Sequence, residues 1–180
     1  IIGEGEGNII QIESGSPVLR NNILTLQTEY GEGNSIINCS SYTAPEIINN
    51  DIIFNFTGSY FNGTGIFVNV NALPVIENNI LFSNQSGSNG PGGIDCRSSI
   101  YTIAYNDIFG FQENFTQCED CIEELIGIDG NISANPLFHD FENDDYSLDW
   151  GSPCIDAGDP ESPLDPDNTV DLIKKYFGDY

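Results

Sequence analysis

Carboxylates are the reactive groups this chain holds in quantity: Asp and Glu number 28 in 180 residues, against 4 Lys plus Arg and a single histidine, His139. Acid–base hydrolysis needs two carboxyls facing one bond. Asp51 with Asp107, and the adjacent Asp144 and Asp145, are the pairs on offer. Asp51 and Asp107 occupy equivalent phases of a repeat with Ile80 between them, so they read as solvated turn residues rather than an acid/base dyad. A hard cation is the second use for carboxylates. Asp156, Asp159, Asp165, Asp167 and Asp171 supply oxygen ligands of the kind Ca²⁺ takes, although no EF-hand spacing is present. The competing reading of these acids is a solvated surface that keeps the chain soluble. Thiol chemistry falls to Cys39, Cys96, Cys118, Cys121 and Cys154. The lone Cys118-x-x-Cys121 has no second pair, and one histidine is too few for a usual zinc set. Cys118, Cys121 and Cys154 are therefore disulfide candidates, and the odd total leaves at least one thiol unpaired. No catalytic residue is assigned.

The charge balance narrows the partners. A formal net charge of -24 offers no basic stripe for nucleic acid or for an anionic membrane surface. No apolar run approaches the roughly 20 residues of a spanning helix. Six N-x-[S/T] sequons occur, and Asn38 lies in a strand-like run. Asn55, Asn62, Asn84, Asn114 and Asn131 are the glycosylation candidates. The chain contains no methionine, as expected of a processed product or part of a longer chain.

The elements that must position these groups come from a repeat. Pro17–Asn22, Pro45–Asn50, Pro74–Asn79 and Tyr101–Asn106 align, and their closing asparagines Asn22, Asn50, Asn79 and Asn106 step by 28, 29 and 27 residues. Three positions earlier stand Leu19, Ile47, Ile76 and Ile103; two positions later stand Leu24, Ile52, Leu81 and Ile108. No helical period of 3.6 runs through these segments, whereas 25 Ile and 21 Asn suit short strands joined by tight corners. Each repeat is too small to bury an apolar face alone, so it must stack on its neighbours. The expectation is an all-β right-handed parallel β-helix (β-solenoid) of about 28 residues per coil. Its asparagines would form a hydrogen-bonded corner ladder. Cys39, Val68 and Cys96 would share an inward column, with the two cysteines two coils, about 9.6 Å, apart and beyond disulfide reach. Regular coils are expected over 1–111, with irregular coils and an acidic, Cys-containing cap over 112–180.

The repeats, followed by Asn131-Ile-Ser-Ala-Asn-Pro-Leu-Phe138 and Gly151-Ser-Pro-Cys-Ile-Asp-Ala-Gly-Asp-Pro160, resemble secreted bacterial right-handed parallel β-helix repeat proteins of the pectate-lyase-like superfamily, over the C-terminal portion of such chains. That resemblance implies a secreted or cell-surface location and puts polysaccharide lyase or hydrolase activity among the alternatives. A lyase of that kind needs a basic residue to abstract a proton. Arg20 and Arg97 sit at different repeat phases, and the companion motifs of the hydrolases are absent. The leading expectation is a non-catalytic extracellular structural module of a cell-surface or matrix protein, with no required cofactor. It would bind itself, through open β-helix ends that could build filaments, or another surface protein. The alternative is a glycan-binding, adhesive module.

Overall fold

The computed structural model describes residues 2–4, 8–84, 92–116 and 125–162, with 2–4, 28–34 and 57–62 described through their backbone alone. Those residues are all-β, with parallel strands stacked layer on layer. The strands are β1 (Ile2–Glu4), β2 (Ile10–Ile12), β3 (Val18–Arg20), β4 (Ile23–Cys39), β5 (Glu46–Ile48), β6 (Asp51–Val68) and β7 (Val75–Glu77). They continue as β8 (Ile80–Ser83), β9 (Gly92–Cys96), β10 (Thr102–Ala104), β11 (Asp107–Phe109), β12 (Glu113–Thr116), β13 (Phe138–Asp140) and β14 (Asp145–Leu148). Helical structure among the described residues is confined to one 3₁₀ turn, Phe141–Asn143.

One parallel sheet orders its strands β10-β7-β5-β3. The larger sheet runs β1-β4-β6-β8-β11, with β2 on β4, β9 on β6 and β12 on β9. The register is the repeat made visible: Leu19 faces Ile47, Ile47 faces Ile76, and Ile76 faces Ile103. Leu24, Ile52, Leu81 and Ile108 stack the same way and are all fully buried. So do Ile12, Cys39, Val68 and Cys96. Cys39 and Cys96 are buried thiols separated by Val68 and pack as small apolar residues; burial pushes the Cys39 thiol up to about 12.

Corners follow from residues that accept a left-handed backbone. Asn21, Asn49, Asn78 and Tyr105, each directly before a ladder asparagine, have φ of 57°, 55°, 57° and 55°. A second corner repeats at Gly15, Tyr42 and Asn71. Asparagine tolerates this region because its short side chain bonds locally. Gly110 is a stricter case: its φ is +83°, and a Cβ there would run into the Ser83 carbonyl of the layer above.

Stacking continues after residue 111. β12 lies parallel on β9, and Ile132 forms a parallel bridge with Asp107. Residues 138–159 then turn back along the side of the stack, where β13 and β14 pair as an antiparallel hairpin.

Candidate functional site: an amide ladder and a strap over two carboxyls

The ladder asparagines bond as expected. Asn22 donates its backbone N–H and its Nδ2 to Asn50 Oδ1, at 3.1 and 2.9 Å. Asn50 does the same to Asn79 Oδ1 at 2.9 and 3.0 Å, and Asn79 to Asn106 Oδ1 at 3.0 and 2.9 Å. Each lower Nδ2 also reaches a carbonyl in the layer above: Asn50 to Leu19, Asn79 to Ile47, Asn106 to Ile76. The buried amides are thereby satisfied in full, as a dry interior requires. The ladder has a fifth member. Asn106 donates N–H and Nδ2 to Asn131 Oδ1, and Asn131 Nδ2 reaches the Ile103 carbonyl. This corrects the reading of Asn131 as a glycosylation candidate, because the residue is fully buried and its amide nitrogen is engaged with Ile103 and Ile128. Asn84 is exposed; its amide clasps the backbone of Phe56 through both N–H and C=O and also touches Asn55. Asn114 is half-buried, with Nδ2 3.5 Å from Ser133 Oγ. The side chain of Asn62 lies outside the described set.

The outer face of the larger sheet is covered by the returning segment. Thr25, Ile53, Phe82 and Phe109 form an outward column. Phe138 and Phe141 lie on Phe82, with centroids at 5.3 and 5.1 Å, and Tyr146 closes onto both. Tyr146 donates to Asp144, which also receives Gln27 Nε2 at 3.4 Å, and the Asp159 N–H bonds Asn78 Oδ1 at 2.7 Å. These contacts make 138–159 a strap spanning several layers.

Beside that column stand Ile23, Asp51, Ile80, Asp107 and Ile132. Asp51 and Asp107 are not the solvated turn residues the sequence suggested. Asp107 is 4% exposed; its Oδ1 takes the Ala134 N–H at 2.9 Å and its Oδ2 takes the Cys154 thiol at 2.8 Å. Burial raises the Asp107 carboxyl, and it pushes the Asp51 carboxyl up to about 7. Cys154, a disulfide candidate from sequence, is a free thiol. Burial first, and then Asp107, hold it protonated far above the usual range, so it is no nucleophile. The repeat placed Asp51 and Asp107 in one column, but the cover over Asp107 comes from Ala134 and Cys154, 27 and 47 residues further along the chain.

Of the calcium candidates, Asp165, Asp167 and Asp171 lie outside the described residues, as do Cys118 and Cys121. Asp156 is exposed with a left-handed φ of 58°, and Asp159 accepts the Glu161 N–H in a local turn. Among the described residues no group of three or more His, Cys, Asp or Glu is placed to hold a metal ion. Asp144 and Asp145 are exposed, and Asp145 is held low by the Ser147 hydroxyl and N–H. His139 pairs with Asp149 at 2.8 Å on the surface, which raises the imidazole. Among the described residues no helix is long and apolar enough to cross a membrane. Comparison with protein-family models, curated proteins and solved structures finds no match for this chain.

Proposed function

We propose that the chain is a non-catalytic structural module of an extracellular surface or matrix, built as one right-handed parallel β-helix. Right-handed winding is the hand that crossovers between parallel strands almost always take. The supporting observation is the amide ladder: its side chains bond one another and the layers they join, not an open cleft. The two shielded carboxyls support the same reading. Asp107 is held by Ala134 and Cys154, one donor on each carboxylate oxygen. Self-association, or contact with another surface protein, would use the strand edges at the ends of the stack. Immuno-electron microscopy of the native source, with antibody raised to the folded chain, tests this reading. Labelled rods or fibres outside the cell are expected; labelling confined to the interior overturns it.

One observation favours a second reading, an adhesive glycan-binding module: Trp150, the chain's single tryptophan, is 79% exposed on the strap. Aromatic faces of this kind stack on sugar rings. Quenching or a blue shift of its fluorescence on titration with neutral oligosaccharides would move the assignment there.

A further inference from the structure

Three turns carry the chain from the larger sheet to the smaller one: 40–45 between β4 and β5, 69–74 between β6 and β7, and 97–101 between β9 and β10. The register of the strands on either side stacks these turns one on another, so they form one edge of the fold. The three segments hold no Asp or Glu, in a chain that carries 28. Their one charge, Arg97, is engaged by Asp95 through Nε and Nη2 at 3.3 and 3.2 Å. Polar side chains here turn onto the local backbone. Thr43 Oγ1 donates to the Ser40 carbonyl, Ser98 Oγ donates to the Ala72 carbonyl, and Asn69 Oδ1 accepts the Val70 N–H. What the edge presents outward is apolar: Tyr42 is 81% and Ile100 67% exposed, with Val70 and Leu73 exposed between them. An edge without carboxylates, whose polar groups are already bonded, loses little when it is dried.

Tyr42 supplies an independent observation. Its φ is 63°, in the left-handed region, and the matching corner one layer below is Asn71 with φ 59°. Asparagine suits that backbone, whereas a bulky side chain strains it. The strain is not offset by burial, because the tyrosine ring stands in solvent. A strained corner that holds an aromatic ring outward points to a use beyond the fold.

We propose that this edge is a side-by-side contact between two copies of the chain. A sugar would need free polar groups around the ring, and the neighbouring ones are spent on the turns. At a net charge of -24, two copies repel wherever carboxylates face each other, and along this edge none do. The edge also matches itself. Tyr42 lies one layer above the 69–74 turn and Ile100 one layer below it. A two-fold axis through that middle turn sets Tyr42 of each copy against Ile100 of the other. Three turns bury less than about 1,000 Å² in total, so the pairing is weak and depends on concentration. The inference does not rest on the surface-or-matrix assignment, since a chain found inside cells can pair along the same edge. It is equally separate from contacts through the strand edges at the ends of the stack, which leave Tyr42 and Ile100 free.

Sedimentation equilibrium of the full chain, up to about 1 mM, tests it. A monomer–dimer equilibrium is expected, tightened by added salt as the repulsion between copies is screened. Tyr42→Asn, which keeps the corner in the manner of Asn71, and Ile100→Asp should each weaken pairing at least tenfold. Tyr42→Asn should melt no lower than the parent. Leu137→Asp, at an exposed apolar residue away from this edge, should pair like the parent. A chain that stays monomeric throughout overturns the proposal and leaves the edge to a different protein. A dimer indifferent to both edge substitutions overturns it in favour of the stack ends. A lowered melting temperature for Tyr42→Asn also overturns it, by making the ring part of the fold.

Discussion

The thiol of Cys154 donates to Asp107 Oδ2 across 2.8 Å, joining residues 47 apart and fastening the strap to the outer face of the stack. Asp107 thus receives a thiol on one oxygen and a backbone N–H on the other. Removing the thiol leaves a buried oxygen short of a donor, which costs about 1–2 kcal/mol. Cys154→Ala should lower stability by that amount in denaturant titration, and Cys154→Ser should recover most of it. Alkylation with iodoacetamide in the native state should label Cys154 slowly and leave Cys39 and Cys96 unlabelled.

Asp51 makes stability depend on pH. Its carboxyl is raised by burial to about 7 in the folded chain, against about 3.9 unfolded, so the folded state holds the proton more tightly. The stabilisation is complete below pH 4, declines as pH rises, and is lost above 7. Three units would correspond to roughly 4 kcal/mol; the carboxyl is only partly covered, so about 2 kcal/mol is expected. Asp51→Asn removes this slope. Melting the variant and the parent at pH 5 and pH 8 checks it, and identical slopes would refute the assignment.

The middle of the ladder is its most sensitive point. Asn79→Ala strips Asn50 N–H and Nδ2 of their acceptor, and Ile47 O and Asn106 Oδ1 of a donor. With the group buried, a loss of about 3–5 kcal/mol is expected, enough to prevent expression of a marginal fold. Asn22→Ala, at the half-buried end, should lose about 1 kcal/mol, and the ratio between the two is the measurement.

Gly110→Ala should destabilise by about 2–3 kcal/mol through both its positive φ and the Ser83 carbonyl. A Gly127→Ala control shares the positive φ but has open space around it, so it should lose only the backbone part.

Glycan mapping on material from a glycosylating host should find Asn131 unoccupied. Asn84 and Asn114 remain more accessible, and occupancy at Asn84 should loosen the Phe56 backbone it clasps.

The inward columns and the first four ladder residues were legible in the sequence because stacking repeats a residue type every 27 to 29 positions. Asn131 escaped because its step from Asn106 is 25, outside the 27 to 29 of the other rungs. The strap escaped for a different reason. Its contacts join residues 47, 81 and 117 apart, and no repeat announces such pairings. Asp51 and Asp107 were misread because the segment that covers Asp107 returns from far along the chain. Their burial comes from the layers and the strap around them: Asp107 is shut in by Ala134 and Cys154, while Ile23 at the end of the same column stays 47% exposed.

Five amide groups aligned head to tail also add as electric dipoles. Every ladder carbonyl points toward the N-terminal layers, so partial negative charge gathers at Asn22, as it does at the C-terminus of a helix. Arg20, one of four Lys and Arg in a chain of net charge -24, stands two residues from that pole. The seam that holds the layers together therefore also gives the stack an electrical polarity, negative toward its N-terminal layers.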